Sequence, residues 1–328
     1  MVKYDVIAVL ENLPMGGKFK IAIDKDQPLK GKIRIHIGDE KNPSAVIQPM
    51  ENASPCHLDA ILKEMKKEIK FKDNKQEAKF DLYIKEGFLS KFSEGHPIAL
   101  VKIIDIEAAD EKEHALNEMC ILIDELSLIL SFNYSLPTER LFIVMINNET
   151  NELLTEATNY WLNYKNLNTF QEGGVIYIIP KENPIVNLEK MTKVLAWEYK
   201  ELTEGKKEDQ LLAKCLMEHK KLLRNKPGEK GQDSLMGYWT IITILAESYN
   251  LSLREKVERL FKDHDMAKEY DDIKASWKYR GSWEHFRKIP TEFKESGFDF
   301  RALKIVTDKL LMKVFARESE RIQKCLTS

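Results

Sequence analysis

The pattern of apolar residues changes once along this 328-residue chain, and that change limits the fold more than any motif does. Up to residue 182, period-two alternation marks strands over 4–10, 18–23, 32–37 and 79–84, with turn material such as Pro14-Met15-Gly16-Gly17 between them. Further apolar runs of strand length lie at 98–106, 140–146 and 175–179. Two stretches among them have helical spacing: 57–70, where Leu58, Ile61, Leu62, Met65 and Ile69 share a face, and 111–130. From Pro184 onward the strand signal stops. Helical patterns follow over 188–202, 210–224, 234–249, 253–262, 266–279 and 300–324, with a break at the Pro- and Gly-containing segment 225–231. The expected fold class is α+β: a mixed α/β sheet domain over 1–182, then an all-α helical bundle over 183–328.

Charge divides at the same place. Lys plus Arg number 51 and Asp plus Glu 53, a net charge of −2, which excludes a basic tail gripping nucleic acid by phosphate neutralisation alone. That near-zero sum averages roughly −7 over 1–182 and roughly +5 over 183–328, so the helical half is the better anion binder. With 43% hydrophobic and 32% charged residues the chain has material for a substantial core and too much charge to be embedded in a bilayer. Its most apolar window, 120–132, holds Asp124 and Glu125 and is too short for a bilayer core of about 30 Å. No membrane partner is expected, and the strand-like opening MVKYDVIAVLENLP does not read as a secretory signal. Cys56, Cys120, Cys215 and Cys325 stand far apart, as reduced thiols of a cytoplasmic protein do. Apart from His285, the histidines (His36, His57, His96, His114, His219 and His264) show no ligand spacing, so no metal site and no cofactor are expected.

Most motifs that announce a chemistry are missing: no phosphate-binding P-loop, no dinucleotide fingerprint, no zinc-peptidase H-E-x-x-H and no G-x-S-x-G. The stretch that stands out is 277–288, WKYRGSWEHFRK, which sets Arg280 and His285 five residues apart at the end of an expected helix. An Arg forks two hydrogen bonds onto a phosphate, and a His with an ordinary pKa of roughly 6.5 exchanges a proton near neutrality. On a straight helix the two side chains would stand about 140° apart, so they converge only where the helix breaks. Gly281 and Ser282 supply such a break. Lys274, Lys278, Arg287 and Lys288 offer a cationic rim, and Trp283 or Phe286 a face on which a base can stack. A plainly structural reading stands beside this one: Arg280 paired with Glu284 at i, i+4, Trp277 and Trp283 in the core, and the lysines on a solvated face.

The region from about 231, or from 184, to 328 resembles the HEPN superfamily, whose helical bundles carry Arg-x4-6-His near the start of the penultimate or last core helix. The resemblance rests on Tyr238-Trp239 and 241–247 in one helix, on Tyr279-Arg280 and His285, and on the long last helix, and its layout is similar to the Apea-like branch. It implies a metal-independent endoribonuclease in a prokaryotic defence or toxin system. His285 would be the base and Arg280 the cation that stabilises the phosphorane. It also implies a homodimer through the helical domain, RNA as partner, and a protein or ligand trigger at the N-terminal domain. Glu247 would orient Arg280 or His285 from the bundle interior; as a surface charge near the helix end it would do neither. Two positions depart from the family pattern. Gly281 follows the Arg where a polar residue is usual, with Ser282 one step later, and Arg287 stands where the toxin branch silenced by nucleotidylation has Tyr. The alternative function is a non-catalytic HEPN-like module for dimerisation or for binding nucleotide or RNA, and a third reading makes the Arg280 and His285 spacing accidental.

Overall fold

Strand β1 (Val2–Glu11) is the spine of the N-terminal half. Only its first residues alternate, with Lys3 exposed beside buried Tyr4; Val6 to Leu10 are buried at every position, so both faces of the strand are covered. The structure, a computed structural model, describes residues 2–11, 19–21, 28–29, 33–35, 45–50, 66, 69, 71–83, 98–108, 112–135, 137–157, 184–224, 231–277, 279 and 300–327. Within these, β1 pairs antiparallel with β6 (Ile98–Ala108) on one side and β7 (Glu139–Asn147) on the other. The remaining strands are β2 (Phe19–Ile21), β3 (Pro28–Leu29), β4 (Ile33–Ile35), β5 (Ala45–Met50) and β8 (Leu153–Ala157). They extend the sheet in the order β2-β5-β6-β1-β7-β8, with β4 also on β6 and β3 on β4. The expected strand at 175–179 and most of the expected helix at 57–70 lie outside the described residues, as does Cys56.

The strand expected over 79–84 is instead the end of helix α1 (Asn74–Tyr83), with Ile84 outside the described residues. Local start signals favour the helix: Gln76 N donates to Asp73 Oδ1 (2.7 Å) while the Gln76 side chain accepts from Lys72 N (2.6 Å). A strand would aim Phe80 and Leu82 the same way. Here Phe80 packs against Phe71 (5.4 Å) and Phe142 (6.3 Å), Leu82 is 56% exposed, and Lys66 bridges Glu77 and Asp81 one turn apart.

Helix α2 (Lys112–Tyr134) packs on β7, β8 and β1 through Ala115, Met119, Leu122, Ile123, Leu126, Ile129 and Leu130, spaced as one broad helical face. Asp124 ties it to β7 by an ion pair with Arg140 (2.8 Å). It ends where Ser135 takes a left-handed conformation (φ 53°) ahead of Pro137, and Thr138 N donates to Ser131 Oγ (2.9 Å). Among the described residues no helix is long and apolar enough to cross a membrane.

The chain divides into two compact units, Met1–Glu208 and Asp209–Ser328. The last described strand ends at Ala157 and residues 158–183 lie outside the described residues, while the first compact unit takes in the helix that follows them. Helix α3 (Pro184–Thr203) lies against α2, β2 and β3, burying Leu188, Met191, Val194, Leu195 and Ala196, with Asn133 Nδ2 3.5 Å from Met191 Sδ. The second unit holds α4 (Leu211–Arg224), α5 (Gly231–Ala246), α6 (Leu253–Asp263), α7 (Ala267–Ile273) and α8 (Phe300–Thr327). At its centre α5 touches α4, α6 and α8 and buries Leu235, Tyr238, Trp239, Ile241, Ile242, Leu245 and Ala246. An α+β chain is therefore what the structure holds.

Candidate functional site

The described residues that precede Arg280 in the sequence are anchored by the fold. Helix α7 tightens into a 3₁₀ turn, Lys274–Ser276, and Ser276 is fully buried. Trp239 Nε1 donates to Ser276 Oγ (3.0 Å), and that hydroxyl donates to the Ile273 carbonyl (2.7 Å), so one hydrogen-bonded chain pins the turn to α5. Trp277 sets its ring edge-on to Trp239, with centroids 4.7 Å apart at 83°, and Tyr279 is buried. Of the two tryptophans assigned to the core in the structural reading, Trp277 is half-buried with its ring on Trp239, and Trp283 lies outside the described residues.

Arg280 and His285 themselves lie outside the described residues, and so do Ser282, Trp283, Glu284, Phe286, Arg287 and Lys288; the placement of Lys278 is not described either. Two of the expected site residues are described. Lys274 is exposed and bonded to Asp271 (2.6 Å), which holds its ammonium above the usual lysine range. Its charge is already partnered by a neighbouring acid. Glu247 had two readings, an orienting group reaching in from the bundle interior and a surface charge near the helix end. It stands in the turn after α5, exposed, its N–H bonded to the Ile244 carbonyl. Ala246, the last residue of the helix, takes the buried position.

The second unit has a polar centre that the spacing of histidines does not reveal. His219 on α4 is fully buried, its Nε2 2.6 Å from Asp308 Oδ1 on α8, and Lys304 Nζ donates to Asp308 Oδ2 (2.6 Å). Tyr238 on α5 lies edge-on to the imidazole, with centroids 6.3 Å apart. Burial, and then the Asp308 carboxylate, push its phenol far above the usual tyrosine range. The arrangement stitches α4, α5 and the second and third turns of α8 together. A fully buried imidazole cannot touch a polymer, so this centre is a clamp on the residues that follow the 280–299 segment rather than a catalytic pair. One signal does mark His219 in the sequence: it stands three residues from both Leu216 and Leu222, on the buried face of α4.

Among the described residues no group of three or more His, Cys, Asp or Glu is close enough to hold a metal ion. Cys120 and Cys215 are buried thiols and Cys325 is exposed. No protein-family model, no curated protein and no solved structure matches this chain.

Proposed function

We propose that the chain is a metal-independent endoribonuclease of HEPN type, acting in the cytoplasm of a prokaryote in defence or as a toxin, with Arg280 and His285 as its catalytic pair. His285 takes the proton of an RNA 2'-hydroxyl, and the freed oxygen attacks the adjacent phosphorus. Arg280 bears the charge of the phosphorane, the 5'-oxygen leaves with a proton taken from water while His285 returns its own to solvent, and a 2',3'-cyclic phosphate and a 5'-hydroxyl remain. The site lies between two copies of the helical unit, and the N-terminal unit senses the trigger.

The observation that carries this reading is the setting of the Arg-x4-His stretch. In sequence it comes just after the 3₁₀ turn bonded to Trp239 and after Trp277, whose ring packs on Trp239, in a helical unit of charge roughly +5 over 209–328. The second reading, a non-catalytic module that dimerises and binds RNA or nucleotide, is favoured by Gly281 at the position where the family carries a polar residue. One experiment separates them. The purified full-length protein is mixed with a mixed-sequence RNA in EDTA, beside Arg280→Ala and His285→Ala. The nuclease reading expects cyclic-phosphate ends from wild type and rates lower by about a hundredfold or more in each variant, the range for loss of a general acid or base. RNA bound but uncut by all three supports the module; equal cutting by all three removes Arg280 and His285 from the chemistry.

A further inference from the structure

We draw no further inference here: the strongest candidate, the open pocket of about 610 Å³ that α5, α6 and α8 enclose in the helical unit, is lined by three acids (Asp263, Glu318 and Glu320) and three bases (Arg317, Arg321 and Lys324) that offset one another, and nothing in the structure shows what fills it.

Discussion

Tyr134, the last residue of α2, buries its ring and its hydroxyl, and the oxygen makes no hydrogen bond among the described residues. A buried polar group left unpaired costs about 1–3 kcal/mol, so Tyr134→Phe should raise the unfolding free energy by about 1 kcal/mol near neutral pH. Burial also pushes the Tyr134 hydroxyl up to about 12. An unfolded tyrosine ionises first, at about pH 10. The neutral, buried phenol thus contributes its full share below about pH 10, and that share is lost as pH rises toward about 12. The phenylalanine variant has no such loss, so its advantage should widen by about 1 kcal/mol between about pH 8 and about pH 11 in urea unfolding. An advantage that narrows over that range would contradict burial as the cause. The same desolvation logic explains what was legible at single positions. Arg280 and His285 announce a chemistry by type and spacing, while His219 is one of six scattered histidines until Asp308, 89 positions away, is folded against it. Long-range pairing of that kind has no local signature.

Between α4 and α5 the helices meet at Gly237, where an added Cβ would lie 2.2 Å from Leu222 Cδ2 and 2.9 Å from its Cγ. In an isolated helix alanine is favoured over glycine by about 1 kcal/mol. Here the whole Leu222 side chain must move, and overpacking costs about 1–3 kcal/mol. Gly237→Ala is therefore expected to destabilise the helical unit by about 1 kcal/mol, and Gly237→Ala with Leu222→Ala to lose less than the two changes summed. A stabilised single variant in thermal unfolding would mean that the helices do not approach this closely. Elements with a strong period were legible: α2, α3, α4 and α8 lie where 3.6-residue spacing sets them, β6 and β7 where apolar runs do, and β1 where period-two alternation marks a strand, although only its first residues alternate in burial. The misses have physical causes. Residues 79–83 alternate as a strand does, but the Asp73 and Gln76 start signals and the Lys66 bridges make them helical. Strand β5 contains Pro49, which argues against a strand, yet the segment pairs with β6 along its whole length, Pro49 opposite Ala99, and among the described residues β2 meets it at Ala45 to Ile47. Strand β8 has little propensity of its own. It forms because Asn147 to Asn151 reverse the chain onto β7, with Asn151 left-handed at φ 53° and the Asn147 side chain accepting from Glu149 N and Thr150 N.

For the whole molecule, the difference between a boundary at 183 and one at 208 is physical and measurable. Charge does not distinguish them, because residues 183–208 contain five lysines and five glutamates, so the acidic and basic halves keep their balance wherever the cut falls. Burial does distinguish them. Helix α3 buries Leu188, Met191, Val194 and Leu195 against the first unit, and at about 1.5–3 kcal/mol for each large apolar side chain that approaches the whole stability of an ordinary domain, about 5–15 kcal/mol. A fragment ending at residue 182 would expose this surface together with the α2 positions that meet it, Asn133 among them. Fragments 1–208 and 209–328 are accordingly expected each to unfold in a single cooperative transition, followed by circular dichroism in urea. Fragment 1–182 should show a shallow transition and bind a hydrophobic dye before any denaturant is added. If 1–182 instead unfolds with the midpoint and slope of 1–208, α3 contributes nothing to the first unit, and the sheet carries its own core without it.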